Sequence, residues 1–218
     1  MKWQSLCFPF EAKDLNLQSL DEWRLYELWV FIKIYKKLRE KFGEPKEMDL
    51  FKIDGNRIKL KIGEIEENKY ESAKIEWENY SLYYQRQFEY NKTGIGSYTI
   101  KVRPDVVIEK RENSKIKMII FDAKKMEAES LFKNKKSRRR VIDQLHRYKE
   151  CIIDFKSKER LVKGAYAVVP MKGDIGSEYE KLKFFSYDYK KEFGFGFVVF
   201  EVLNEEGLDE IFKIINEV

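Results

Sequence analysis

The run Arg103-Pro104-Asp105-Val106-Val107-Ile108-Glu109, followed by Ile116-Lys117-Met118-Ile119-Ile120-Phe121-Asp122-Ala123-Lys124, holds two carboxylates and one ammonium that an antiparallel hairpin would bring to one face. Alternation along the second run sets Ile116, Met118, Ile120, Asp122 and Lys124 on one side and Lys117, Ile119, Phe121 and Ala123 on the other. Asp122 and Lys124 then point the same way, roughly 6–7 Å apart at two strand rises. The linker from Lys110 to Lys115 is polar, with Asn113-Ser114 at its middle, as a hairpin tip should be. A turn centred there sets Asp105 opposite Asp122. Directly opposed carboxylates repel, and a cation between them reverses that sign. Mg²⁺ suits such a pair because it accepts one or two carboxylates and keeps room for waters and phosphate oxygens. An ion so held polarises a phosphodiester and readies a water, while Lys124 would orient that water or steady the charge on the phosphorane. The plain alternative is a surface hairpin with scattered charges. Pro104 at a strand start, the apolar runs on both sides and the coincident register speak against it.

Other elements must supply the rest of such a site. Ser19 and Glu22 form an S-x-x-E capping box that begins a helix, and Gly43 with Pro45 marks its end. On that helix Glu27 has Trp23, Val30, Phe31 and Ile34 around it, all apolar. A carboxylate buried unpaired costs several kcal/mol; a core lysine, backbone amides or a metal ion would each answer the need. A second helix, Arg139 to Phe155, carries the stripe Val141, Leu145, Tyr148, Ile152 and Phe155. Gln144 and Tyr148 lie one turn apart on it and can lean over the same edge, although Tyr148 reads first as core. His146 follows a stripe position without belonging to it, and no catalytic role is assigned to it. Just before this helix, Lys133-Asn134-Lys135-Lys136-Ser137-Arg138-Arg139-Arg140 concentrates Lys133, Lys135, Lys136, Arg138, Arg139 and Arg140. The chain has 43 Lys plus Arg against 38 Asp plus Glu, so this one segment accounts for the net +5. Cations at a helix start oppose the macrodipole by about 0.3–1 kcal/mol each. Contact with nucleic-acid phosphates is one reading of the cluster and a solvated loop is the other. The stretch Met171 to Phe195, rich in Gly, Lys, Tyr and Phe, either stacks on bases or simply packs.

Pro104-Asp105 with Asp122-Ala123-Lys124 resembles the signature of the PD-(D/E)xK nucleases, with 17 positions from the first Asp to the second. Upstream, Leu25-Tyr26-Glu27-Leu28-Trp29-Val30-Phe31 resembles the first-helix segment of McrC-type nuclease subunits of modification-dependent restriction systems. Downstream, Asp143 to Tyr148 and Gly164 to Pro170 are similar to the helix and strand that close that core, so the resemblance spans roughly residues 20 to 170. It implies an α/β fold with a restriction-endonuclease-like core, a mixed central β-sheet flanked by α-helices. By the same resemblance Glu27, Asp105 and Asp122 would hold Mg²⁺, with Mn²⁺ able to substitute. The Ala123 carbonyl would be a further ligand, and Lys124 and Gln144 would assist the chemistry. The implied partners are DNA, a nucleotide-driven motor subunit and a second copy of the chain. McrC-type subunits usually carry an additional N-terminal region that contacts the motor. Here little precedes the first helix, which makes the chain either a domain of a longer protein or a compact nuclease.

Composition sets bounds that agree. The 218 residues suit a single domain over 1–218, and 43% hydrophobic with 37% charged residues argue for a folded chain with a heavily charged surface. No apolar run reaches the length of a membrane span, and the start Met1 to Phe10 lacks a long apolar segment, so a cytoplasmic location is expected. Cys7 and Cys151 offer no disulfide framework and cannot supply the four thiolates of an iron–sulfur cluster. Strands are expected at Leu50 to Ile53 and Arg57 to Ile62, joined by Asp54-Gly55-Asn56, and at Ser81 to Phe88, Ser97 to Val102, Leu161 to Val169 and Gly196 to Val202. Glu64 to Glu78, charged and irregular, reads as an insertion or a connector with mixed structure, and Gly207 to Val218 as a closing helix. The expected function is a metal-dependent DNA endonuclease of restriction or defence. The alternatives are a DNA-binding or scaffolding module of the same fold without catalysis, and a nuclease for RNA or branched DNA.

Overall fold

A computed structural model describes residues 22–54, 57–60, 65–66, 69–70, 72–90, 93–170, 181–200 and 206–217. Helix α1 (Glu22–Phe42) opens on an acidic residue and carries Arg39 and Lys41 in its last turn, both favourable to the macrodipole. Gly43, at φ +79°, ends it with its N–H on the Arg39 carbonyl. The Ser19 end of the expected capping box lies outside the described residues.

The strands are β1 (Glu47–Asp49), β2 (Phe51–Asp54), β3 (Arg57–Leu60), β4 (Ile65–Glu66), β5 (Lys69–Tyr70), β6 (Ala73–Glu76), β7 (Tyr80–Tyr84), β8 (Ile95–Ser97), β9 (Val106–Glu112), β10 (Lys115–Ala123), β11 (Ile152–Asp154), β12 (Val162–Val169) and β13 (Phe195–Val199). The remaining helices are α2 (Ala128–Lys133), α3 (Lys135–Cys151), α4 (Tyr187–Phe193) and α5 (Glu206–Glu217). A seven-stranded sheet runs β1-β6-β7-β9-β10-β12-β13. It is antiparallel from β1 to β10 and parallel from β10 through β12 to β13. The change of direction follows from connection length. A tight turn joins β9 to β10, whereas α2 and α3 carry the chain over the sheet between β10 and β12, as a parallel crossover requires.

Each sheet face is covered. Val30, Ile34 and Leu38 of α1 and Ile211 and Ile214 of α5 pack on Leu82, Ile108, Phe121 and Val168. On the other face Val141, Leu145 and Tyr148 of α3 meet Val107, Met118, Ile120 and Ala167. Each fully buried Leu, Ile, Val or Phe contributes about 1.5–3 kcal/mol. The expected alternation in β10 holds, with Met118 and Ile120 facing α3 and Ile119, Phe121 and Ala123 facing α1. The buried Lys190 ammonium donates to the carbonyls of Phe185 (2.6 Å) and Phe197 (2.9 Å) and pairs with Glu210, which ties α5 to β13.

Several expected boundaries move. The second helix begins at Lys135 because the Asn134 side chain caps it, accepting the Ser137 amide at 3.0 Å. It ends at Cys151 because Ile152 and Ile153 pair with Ser97 and Gly96, so Ile152 and Phe155 leave the helical stripe. From Lys135 to Arg140 the basic run therefore lies on the first turns of α3, while Lys133 ends α2. The strand expected to reach Phe88 stops at Tyr84, because Gln85 adopts φ +52°. The supposed strand Ser97 to Val102 reduces to Ser97 at the end of β8 and two bridges, Tyr90 to Ser97 and Phe88 to Val102. Glu64 to Glu78 is not irregular throughout, since β6 is an interior member of the main sheet. Residues 171–180 of the expected second contact region lie outside the described residues. Among the described residues no helix is long and apolar enough to cross a membrane.

Candidate active site

The site forms where β10 ends, between α3 on one face of the sheet and α1 on the other. β9 and β10 pair from Lys115 opposite Glu112 to Phe121 opposite Val106, the register that carries Asp105 toward Asp122. Asp105 stands one residue ahead of β9, half-buried, and its Oδ2 accepts the Ala123 amide at 2.8 Å. That ties the first carboxylate to the backbone between the other two charged residues of the motif. Asp122 is 2% exposed, and the Lys124 ammonium lies directly against its Oδ2.

Helix α3 completes this cluster. Lys124 Nζ donates to Gln144 Oε1 at 3.0 Å, Gln144 Nε2 donates to the Tyr148 hydroxyl at 2.7 Å, and that hydroxyl donates to Asp122 Oδ1 at 3.1 Å. Four side chains thus close a ring through Asp122 of β10, Lys124 just past its end and two positions of α3. The i, i+4 spacing on α3 lets Gln144 and Tyr148 face β10 together. From the other face Glu27 of α1, 8% exposed, accepts Gln85 Nε2 at 2.9 Å. The Gln85 backbone N–H donates to the Asp105 carbonyl at 2.6 Å. Its left-handed conformation costs a non-glycine residue about 1–2 kcal/mol, and the turn it makes aims the amide at Glu27.

The charges are crowded. Burial holds the Glu27 carboxyl above its usual range, against hydrogen bonds from Gln85 and Trp23 and the charges of Arg103 and Arg24. Asp105 is pushed up to about 7, first by burial and then by the charge of Glu27, with Lys124, the Ala123 amide and Arg103 opposing. Burial pulls the Lys124 ammonium down, against Asp105 and Glu27. It also raises the Tyr148 phenol. Two carboxylates with too little countercharge, beside a third held by a lysine, are groups whose ionised forms a divalent cation would favour. Carboxylate and carbonyl oxygens are the hard donors Mg²⁺ prefers, so the donor types fit. As arranged here, no three His, Cys, Asp or Glu side chains among the described residues are grouped to hold a metal ion.

Asp105, Asp122, Ala123, Lys124 and Gln144 are thus joined by direct contacts, while Glu27 reaches them through its field on Asp105 and Lys124. The basic residues divide. Arg138 donates to the carbonyls of Leu131 and Phe132 at the end of α2, at 3.0 and 2.9 Å, and Lys133 pairs with Glu129. Lys135, Lys136, Arg139 and Arg140 are exposed on α3, and the charge of Arg140 reaches Lys124. Sequence reasoning missed Gln85, which looked like strand continuation. The reading of Tyr148 as core holds, and its hydroxyl also reaches Asp122 along the edge that its spacing from Gln144 signalled.

A model of the PD-(D/E)XK nuclease superfamily matches residues 24–174, from α1 past the end of β12. The chain belongs to the PD-(D/E)XK nuclease superfamily. Its seven-stranded mixed sheet with flanking helices agrees with the restriction-endonuclease-like fold of these proteins. PD-(D/E)XK proteins are phosphodiester hydrolases that typically use a divalent metal and act on nucleic acids. No curated protein and no solved structure matches the chain.

Proposed function

We propose that this chain is a Mg²⁺-dependent DNA endonuclease, with Mn²⁺ able to substitute, that acts as a single nuclease domain in the restriction of foreign or modified DNA. The observation that carries this reading is the direct contact of Asp122 with Lys124 on one face of β10, in register with Asp105. Glu27, Asp105, Asp122 and the Ala123 carbonyl would hold the metal, which when bound supplies a Lewis acid for the phosphate and a more acidic water. Lys124 keeps a proton on Nζ and offers positive charge to the phosphorane oxygens. Gln144 sets the direction of that ammonium, and Tyr148 fixes the Asp122 carboxylate. Lys135, Lys136, Arg139 and Arg140 would bind backbone phosphates, with Lys133 at their margin and Arg138 positioning α2 against α3.

Supercoiled plasmid incubated with Mg²⁺ should be nicked or linearised by the wild-type chain and left intact by Asp122→Ala. Lys124→Ala should lose about 10²–10³-fold in rate. Unchanged cleavage by both variants would sink the proposal. A McrC-like role adds that a nucleotide-driven motor partner raises the rate, checked by adding the motor with and without nucleotide.

A second reading is a nucleic-acid-binding module without catalysis. The exposed Lys135, Lys136, Arg139 and Arg140 on α3, which would hold phosphates whether or not a metal binds, favour it. It expects retention of DNA in a gel, loss of retention when Lys135, Lys136, Arg139 and Arg140 become Ala, and no nicking under any divalent ion.

A further inference from the structure

The end of β10 opposite Asp122 opens into a pocket of about 750 Å³, a size typical of small-molecule sites. Five cations line it: Lys115 and Lys117 at the start of β10, Lys158 and Arg160 on the turn after β11, and Lys163 on β12. Among the lining residues the sole carboxylate is that of Glu159. Tyr98, Ile116 and Ile153 supply an apolar wall, and Tyr98 is 41% exposed. Six residues of extended strand separate Ile116 from Asp122, roughly 20 Å, so this is a place distinct from the catalytic cluster.

The turn that carries Lys158 and Arg160 is held by its own bonds. Asp154 accepts the Lys156 amide at 2.9 Å and the Ser157 hydroxyl at 3.1 Å, and its N–H donates to the Glu159 carbonyl at 3.0 Å. Lys158 is kept at φ +62°, a conformation that lysine rarely adopts. Arg160 is anchored to Glu150 at 2.9 Å, and Lys163 Nζ donates to the Arg160 carbonyl at 3.2 Å. Like charges gathered in a concavity with an apolar wall repel one another and focus a positive field. An anion bound there relieves the repulsion, and an exposed aromatic ring beside it offers a stacking platform for a planar group.

We propose that this pocket binds a nucleoside phosphate, its phosphates on Lys115, Lys117, Lys158 and Lys163 and its base on Tyr98. The ligand is either a free nucleotide or the phosphorylated end of a nucleic-acid strand. The site needs no metal and is independent of cleavage at the other end of β10.

The test is calorimetric titration of the full chain in EDTA, where no cleavage occurs. The probes are inorganic phosphate, ATP, and a tetranucleotide with either a 5′-phosphate or a 5′-hydroxyl. ATP should bind at one site and more tightly than inorganic phosphate. Affinity should fall at least tenfold in Lys115→Glu/Lys158→Glu and in Tyr98→Ala, and stay unchanged in Lys46→Glu, an exposed position just ahead of β1 at the far edge of the sheet. Lys158→Gln alone, at an exposed turn, gives a smaller loss and serves if the double variant misfolds. Tighter binding of ATP than of either oligonucleotide identifies a free nucleotide. Tighter binding of the 5′-phosphorylated oligonucleotide identifies a strand end. No binding of any probe at millimolar concentration, or binding indifferent to Lys115, Lys158 and Tyr98, overturns the proposal.

Discussion

The Tyr148 hydroxyl joins two groups the chemistry would need, donating to Asp122 while accepting from Gln144, which in turn holds Lys124. Tyr148→Phe keeps the packing and removes both bonds. It should lower cleavage about 10–100-fold, the cost typical of losing a partner that orients a metal ligand, with thermal melting nearly unchanged. Asp105 sets a dependence on pH. Its folded pKa of about 7 lies above its ordinary value of 3.8, so between those values the folded protein holds a proton that the unfolded chain releases. The resulting stability is complete below about pH 4 and is lost as pH rises through 7. Asp105→Asn should therefore match wild type at pH 4 and, in EDTA, exceed it at pH 8 by up to about 4 kcal/mol, as read from urea unfolding. With Mg²⁺ present the order at pH 8 should narrow or reverse, because the wild-type carboxylate would then have a cation. These residue-scale effects were only partly visible in the sequence. The same-face placement of Asp122 and Lys124 follows from a strand period of two, whereas the bond from Tyr148 depends on where α3 crosses β10.

At the scale of elements, α3 carries half of the hydrogen-bonded ring, so its start governs the site. Asn134→Ala removes the bond to the Ser137 amide and should cost about 1 kcal/mol in unfolding free energy. Cleavage should fall less than in Tyr148→Phe, since Gln144 and Tyr148 lie about three to four turns beyond Asn134. The hairpin of β9 and β10 was legible because Asn113-Ser114 at its tip, both at positive φ, fix the register locally. The ends of α3 were not. Its stripe continues through Ile152, and only pairing of Ile152 and Ile153 with β8, a strand more than 50 positions earlier, draws those residues out of the helix. Gln85 failed for a related reason: nothing local marks a glutamine for a left-handed turn, and its partners, Glu27 and Asp105, are distant in sequence.

Over the whole molecule, the exposed basic residues of α3 predict binding governed by salt. Replacing Lys135, Lys136, Arg139 and Arg140 by Glu should weaken DNA binding across sequences alike and flatten the plot of log affinity against log salt by up to about 3–4 units of slope. Fluorescence anisotropy on two unrelated duplexes checks both points, and a sequence-dependent loss would show that these residues read bases instead. Arg138 should contribute through stability rather than through slope, since its guanidinium closes the end of α2. By itself the sequence determined the hairpin, its register, the faces of β10, the helix bearing Glu27 and the nuclease motif, because these follow from local periodicity, turn chemistry and residue order. The contact of Lys124 with Asp122, the hold of Tyr148 and Gln85 on the acids and the meeting of five cations at the far end of β10 come from the folded arrangement alone. Those contacts join residues brought together by a crossover helix and a seven-stranded sheet, and no local pattern encodes a distance across them.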